Sequence, residues 1–335
     1  MIRLAIVGLG NIAREHAEVI HALPNAALVA GVKRDPESGR LFCQEQSIPN
    51  YFTSTAELLN WGEFDAAIIA CGHHHTVELA KLVLSTRRPC LIEKPVGFST
   101  AETDSVLAAA ESAGTWGMVA VNRRFYSIIT DAKRLLAGAG GLRSIRVEHT
   151  EWMHQAREWG LADDILDRYL YINGIHLIDT MCNLAGMPVE SSTVVRQFPD
   201  RRNAYDAMFR FSCGAIGHYS GQWYAPGRWA LDLCAEDLRI TFPTMEQAIV
   251  QRTGCQPEPL LLDELDQKFK PGFYRQMEAF VKLFQNGIKR CGPSQSCGGA
   301  CLLPEAVRIM SVVDGVAAMP SHAAQDLTEP SSSLS

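Results

Sequence analysis

Leu4-Ala5-Ile6-Val7-Gly8-Leu9-Gly10-Asn11-Ile12-Ala13 places an apolar run, a glycine turn and the start of a helix-like stretch in immediate succession. The order matters more than the glycines themselves. A G-x-G-x-x-A that closes a strand and opens a helix has the three parts a dinucleotide-binding turn needs: a tight turn, a backbone free to approach a pyrophosphate, and a helix N-terminus aimed at it. On these residues alone, the alternative is a glycine turn that joins a strand to a helix and binds nothing. Gly8, Gly10, Asn11 and Ile12 are the candidate cofactor contacts here.

Further along, strand-like runs at Leu4–Val7, Ala27–Val32, Ala66–Ala70, Cys90–Ile92 and Met118–Val121 alternate with helical periodicity, for example Val77–Leu84 and Thr103–Ala113. That alternation predicts a doubly wound parallel sheet, the Rossmann arrangement, over residues 1–122. After a helical stretch around Ile128–Leu136 and the glycines of 138–141, the rhythm changes. Segments 143–150, 192–198, 205–213, 215–224, 228–235 and 237–242 follow as strands with short turns, interrupted by helices at about 174–185, 273–286 and 303–318. The expectation for 123–320 is an α+β domain for substrate binding and oligomerisation, built on an open antiparallel sheet whose bare face self-association would cover. The polar, serine-rich residues 321–335 are expected to be disordered.

Composition narrows the function classes. With 335 residues, 47% hydrophobic, 20% charged and a net charge of -6, the chain suits two globular domains and offers no basic footprint for nucleic acid. No apolar run reaches the length of a membrane span, and Met1-Ile2-Arg3 leads straight into a strand, so the cytoplasm is the expected compartment. Most of the 10 cysteines sit singly in apolar segments and read as buried thiols. Cys291, Cys297 and Cys301 lie closer together but lack zinc spacing; they read as a Gly/Ser-rich loop, and no metal site is expected.

The end of the second strand bears on the cofactor. An NAD-preferring domain places an acid about 20 residues after the glycine turn to hold the ribose 2′-hydroxyl. Lys33-Arg34 stands there instead, a pair suited to a 2′-phosphate, so NADP is favoured over NAD. The alternative is that these are solvated charges and Asp35 serves the ribose. Glu93-Lys94-Pro95 follows the strand at Leu91-Ile92, where the carboxyl ends of parallel strands form the ligand crevice; Glu93 and Lys94 are therefore placed toward the cofactor.

With that layout, Glu93-Lys94-Pro95 resembles the signature of the glucose-fructose oxidoreductase / inositol dehydrogenase / rhizopine catabolism (Gfo/Idh/MocA) family, and the resemblance runs along nearly the whole chain. Cys71-Gly72-His73, within Ala70 to Glu78, stands in the place of the family's loop near the nicotinamide. Asn122-Arg123-Arg124-Phe125 is similar to its Asn-x-Arg-Phe segment, and Gly174-Ile175-His176-Leu177-Ile178-Asp179 to its G-x-H-x-x-D helix. The resemblance implies an NAD(P)-dependent oxidoreductase acting on a sugar, amino sugar, cyclitol or related small polar substrate, and a homodimer or homotetramer joined through the C-terminal sheet.

It also implies site roles. Lys94 holds the reacting oxygen and His176 transfers the proton. Asn122, Arg123, Arg124, Tyr126, Asn173 and His176 face the substrate; Trp152, His154, Trp223 and Tyr224 are weaker candidates, with Arg157, Arg168 or Arg228 reading any anionic group. Two departures from the family stand out. The loop lacks the proline and asparagine, and its three histidines are neighbours that point apart. Four residues before His176, where many members carry Asp, stands Ile172; Asn173 or Asp179 is left to orient the imidazole. An imine-type reductase, other non-standard family chemistry, and a non-catalytic nucleotide-binding regulator are the alternatives, the last disfavoured by the acid/base pair.

Overall fold

The computed structural model describes residues 1–158, 160–198, 203–287 and 299–318, and every structural statement below concerns those residues. The first half runs β1 (Ile2–Val7), α1 (Asn11–Ala22), β2 (Ala26–Val32), α2 (Pro36–Glu45), β3 (Asn50–Phe52), α3 (Thr55–Trp61), β4 (Ala66–Ile69), α4 (His73–Leu84), β5 (Cys90–Glu93), α5 (Thr100–Ala113) and β6 (Gly117–Ala120). A 3-10 turn at Asn122–Phe125 leads into α6 (Ser127–Gly138), β7 (Ser144–Thr150), the short α7 (Met153–Glu158) and α8 (Asp163–Leu166), a π-turn at Leu170–Gly174, and α9 (Ile175–Ala185). Then come β8 (Pro188–Arg196), β9 (Ala204–Phe211), β10 (Ile216–Gln222), β11 (Trp229–Ala235), β12 (Leu238–Thr244), β13 (Gln247–Arg252), β14 (Glu258–Leu260), α10 (Glu264–Lys268), α11 (Phe273–Asn286), β15 (Cys301–Leu302) and α12 (Leu303–Ala317).

The first sheet has the order β15-β6-β5-β4-β1-β2-β3, parallel except for β15. Leu4, Ala5, Ile6 and Val7 are all buried, as a central parallel strand covered by helices on both faces requires. Chain order reverses between β1 and β4, which opens the crevice where such sheets bind ligands. Side-chain caps differ around it. Asp35, Ser54 and Ser99 accept from the first turns of α2, α3 and α5, whereas α1 and α4, on either side of the reversal, begin at Gly10 and Gly72 with no side-chain cap. Their first N–H groups are left for something else.

The second sheet has the order β14-β13-β12-β11-β7-β10-β9-β8. It is not purely antiparallel, as the pattern suggested: β7 and β10 run parallel, a pairing strand periodicity cannot reveal. Two further strands at the β14 edge also escaped the pattern, since β14 carries Pro259 and is three residues long. The inner face, with Val147, Tyr219, Phe209, Leu231 and Phe242, is buried; the outer face exposes Met208, Ile216 and Ile249 among charged residues.

The expected division at 122/123 is crossed by the end of the chain. Cys301, expected in a loop, is buried in β15, which pairs with β6, and α12 packs against α5 and α9. On α12, Asp314 accepts from the Thr100 N–H at 2.8 Å and from the Tyr171 hydroxyl at 2.9 Å, fastening one domain to the other. Cys291, Cys297 and the tail 321–335 lie outside the described residues. Among the described residues no helix is long and apolar enough to cross a membrane.

Candidate active site

The glycine turn has the shape its sequence promised. Gly8 sits at φ +96°, and a Cβ there would stand 2.5 Å from the Ala70 carbonyl oxygen, so only glycine lets β1 end beside β4. At Gly10 a Cβ would meet nothing within 4 Å: the space in front of the uncapped N-terminus of α1 is open. This cradle fits a pyrophosphate lying on the Asn11 and Ile12 end of the helix. At the end of β2, Lys33 is half-buried and Arg34 exposed, while Asp35 is engaged by the Ser38 backbone at 3.0 Å and by the Ser38 hydroxyl. Cys71, Gly72 and His73 follow β4 at the same crevice. The three histidines are not a loop but the first turn of α4; His73 packs edge-on to Phe98, and His74 pairs with Asp164 at 2.8 Å across the cleft. Burial pushes His73 down to about 4.

Glu93 and Lys94 point different ways. Glu93 meets His16 Nε2 at 2.8 Å, a wholly buried histidine of α1 that no sequence pattern singled out. Lys94 reaches across to the second domain, where its Nζ donates to the Ile172 carbonyl at 3.0 Å. That carbonyl belongs to the π-turn, in which the Ile175 N–H bonds back five residues to Leu170; such widened turns recur at functional sites because they displace backbone from its usual partner. Residue 172 therefore meets the lysine with its backbone, its apolar side chain being buried. Burial pushes Lys94 down to about 8. His176 begins the next helix, is buried, and leaves Nδ1 with no hydrogen-bond partner; burial, then the charges of Arg123 and Lys94, hold its pKa well below the usual imidazole range. The site thus holds a neutral imidazole beside a lysine that changes charge near neutrality.

Neither residue nominated to orient His176 does so. Asn173 donates to Glu151 Oε1 at 3.1 Å, and Asp179 is taken by Arg124. Glu151 itself was missed. It follows β7 and also meets His149 Nε2 at 3.1 Å, while His149 Nδ1 meets the Tyr219 hydroxyl at 2.6 Å. The signal available was a carboxylate directly after a strand end, but no motif marks it. Glu151 lines a cavity of about 490 Å³ with Trp152, His154, Arg157, Trp223 and Tyr224. The four aromatic candidates therefore share one cavity wall, although Trp223 is almost wholly buried and Trp152 starts the turn into α7 rather than lying in a strand.

Three expected substrate contacts are supports instead. Arg124 donates twice through Nε to Asp179 (3.0 and 2.9 Å) and through Nη2 to Asp179 at 2.7 Å and Glu305 at 2.9 Å, all with the arginine side chain 1% exposed. Burial opposes its charge most, but Asp179, Cys301 and Glu305 together raise its pKa. Asn122 donates to the Pro271 carbonyl at 3.0 Å, and Tyr126 is 4% exposed, its phenol pushed up by burial. Arg168 lies over the Phe98 ring, and Arg228 pairs with Glu148 on the outer face, away from the cleft. Arg123 alone of the dipeptide faces the cleft, stacked on Trp229.

Comparison with known proteins agrees with this geometry. The profile described as "Oxidoreductase family, NAD-binding Rossmann fold" matches residues 2–121, and that of the "GFO/IDH/MocA C-terminal domain" matches 130–242. Among curated relatives, the trans-1,2-dihydrobenzene-1,2-diol dehydrogenase of Bos taurus is 29% identical over 178 residues, covering 51% of this chain and 53% of its own length. A putative UDP-kanosamine synthase oxidoreductase subunit of Amycolatopsis mediterranei (strain S699) is 30% identical over 195 residues, with 55% and 52% covered. The chain thus spans about half the length of the curated relatives it matches. The solved UDP-N-acetylglucosamine 3-dehydrogenase of Acidithiobacillus ferrooxidans has the same fold, with a TM-score of 0.75 at 18% identity over 94% of this chain and 96% of that one. With a glycine cradle at the switch of a parallel sheet, a lysine carried across to a histidine helix and both domain patterns matched, the chain belongs to the Gfo/Idh/MocA family of NAD-binding oxidoreductases.

Proposed function

We propose that the protein is an NADP-preferring dehydrogenase or reductase that interconverts a hydroxyl and a carbonyl on a small polar substrate, a sugar, amino sugar, cyclitol or related diol. The observation that carries this is Lys94, which follows a parallel strand and is hydrogen-bonded at 3.0 Å to the Ile172 carbonyl, four residues before the buried imidazole of His176. Bound on the Gly8 turn, a nicotinamide cofactor supplies the two-electron redox chemistry the side chains lack. Lys94 donates to the reacting oxygen and favours negative charge developing there. His176, neutral because its surroundings disfavour the imidazolium, accepts the hydroxyl proton on its imidazole in oxidation and returns it in reduction. Glu151 and His149 fix Asn173 beside them and shape the cavity. The diol and sugar-nucleotide activities in the relatives' names favour a polyhydroxylated substrate.

The cofactor half is tested by fluorescence titration with NADPH and NADH at equal concentrations. Lys33 and Arg34 together are expected to favour NADPH by about 10- to 100-fold, from one or two charge-assisted bonds to the 2′-phosphate. Replacing both with serine should erase the preference; equal affinities in the unaltered protein would remove the case for NADP and leave Asp35 as the ribose contact.

Self-association is part of the same reading. Met208, Ile216 and Ile249 stand exposed on the outer face of the second sheet, which a second copy would cover. Sedimentation should give a dimer or tetramer, and an Ile216→Glu, Met208→Glu pair should shift it to monomer; a monomer at micromolar concentration in the unaltered protein refutes this.

A further inference from the structure

Adjacent arginines in the 3-10 turn are treated in opposite ways. Arg124 is neutralised by two carboxylates. Arg123 has its Nε shut off from solvent with no hydrogen-bond partner, and among the described residues it makes no ion pair; its guanidinium rests on the Trp229 ring, 4.4 Å from the centroid. A half-buried guanidinium with one N–H shut off from water and unbonded carries a cost that an anion bound to it would relieve. Glu246 and Glu151 act on it through space only, and Glu151 is already committed to His149 and Asn173.

What completes it is decided by where it stands. Trp229, which carries the guanidinium, is also the ring neighbour of His176 at 6.0 Å and of His149 at 4.7 Å. Arg123 therefore opens onto the reaction centre and adds to the positive field there with Lys94. The cofactor's phosphates belong elsewhere: the glycine turn follows β1, whereas Arg123 follows β6, separated from it in the sheet by β4 and β5. A guanidinium lying on an indole is fixed in plane and presents its N–H edge, which matches the two oxygens of a carboxylate.

We propose that Arg123 is the receptor for an oxyanion on the substrate, so that the compound handled between Lys94 and His176 is a hydroxy or oxo acid. This rests on the oxidoreductase reading above and narrows its substrate class. The acid group is bound on Trp229's side of the cleft, and the polyol remainder extends toward Glu151 and the aromatic cavity.

The test is equilibrium binding to the NADPH-loaded protein, followed calorimetrically, of D-gluconate against D-glucitol, which differ only in carboxylate versus hydroxymethyl. The expected result is an acid bound about 30-fold tighter than the alcohol, the worth of a bidentate charged contact. R123Q should erase that ratio and R123K keep part of it, with the melting temperature of each variant reporting its fold. Malonate should displace gluconate. A ratio near one in the unaltered protein overturns the proposal, as does a ratio unchanged by R123Q, a loss of NADPH affinity in R123Q, or displacement by inorganic phosphate but not by malonate, which would assign the oxyanion to a phosphate ester. Failure of NADPH itself to bind sinks the oxidoreductase reading instead, and the two failures are told apart by the first titration.

Discussion

Replacing Lys94 by methionine is expected to cut turnover about a thousandfold and to make the protein more stable. The first effect follows from losing the donor proposed for the reacting oxygen, a contribution of order 10²- to 10⁴-fold. The second follows from burial. Lys94 is pushed from the usual 10.5 down to about 8. At 1.36 kcal/mol per unit this corresponds to about 3 kcal/mol spent on keeping the ammonium in place at pH 7, and because the side chain is only half-buried, water in the cleft leaves about 1–2 kcal/mol to recover. The sign with pH is fixed by the same shift. The folded lysine is protonated below about 8 and loses its proton above it, whereas the unfolded one keeps it to the usual 10.5; stability from this residue rises between those values, while kcat falls as pH passes about 8. Thermal melting and a kcat profile on the unaltered protein and K94M check both. A variant that melts no higher and turns over within threefold would remove Lys94 from the site.

Removing Arg124 acts on the fold rather than on chemistry. R124M leaves the Asp179 carboxylate, 1% exposed, with no hydrogen-bonded cation and only Lys133 acting through space, at an expected cost of about 3–5 kcal/mol, or about 5–15 °C in Tm for a chain of this size. The double variant R124M/D179L, which removes both charges, should recover more than half of that, because no buried carboxylate remains unpaired. A small loss in the single variant, or a double variant worse than the sum, would mean that the pair is not what joins the 3-10 turn to α9. Cofactor titration of the refolded single variant should be unchanged at temperatures below its transition.

The residues explain which parts of this could be read from the chain. The Gly8 turn, the strands on either side of it and Lys94 were legible because local rules fix them: a glycine at positive φ, a strand end, a short charged segment. His176 was legible as a motif, but its surroundings were not, since Asn173 and Asp179 at helical spacing do form bonds, only to Glu151 and Arg124, which arrive from distant positions. Periodicity shows that Arg123 and Arg124 follow a strand; which of the two would be neutralised depends on Asp179 and Glu305, far along the chain. Glu151 left no trace because one carboxylate after a strand is ordinary, and the parallel pairing of β7 with β10 left none because strand patterns carry no direction.

β15 and α12 have a consequence for how the molecule is made. The sheet that carries the cofactor cradle lacks its last strand until residue 301 has been synthesised, with the whole second domain in between. Until then β6 presents an unpaired edge, and the face of α5 that α12 will cover stays wet. The N-terminal half is therefore not a unit that completes itself on the ribosome; its closure is a late, long-range event of high contact order, and a ribosome stalled before residue 300 would hold a nascent chain with an open, adhesive sheet.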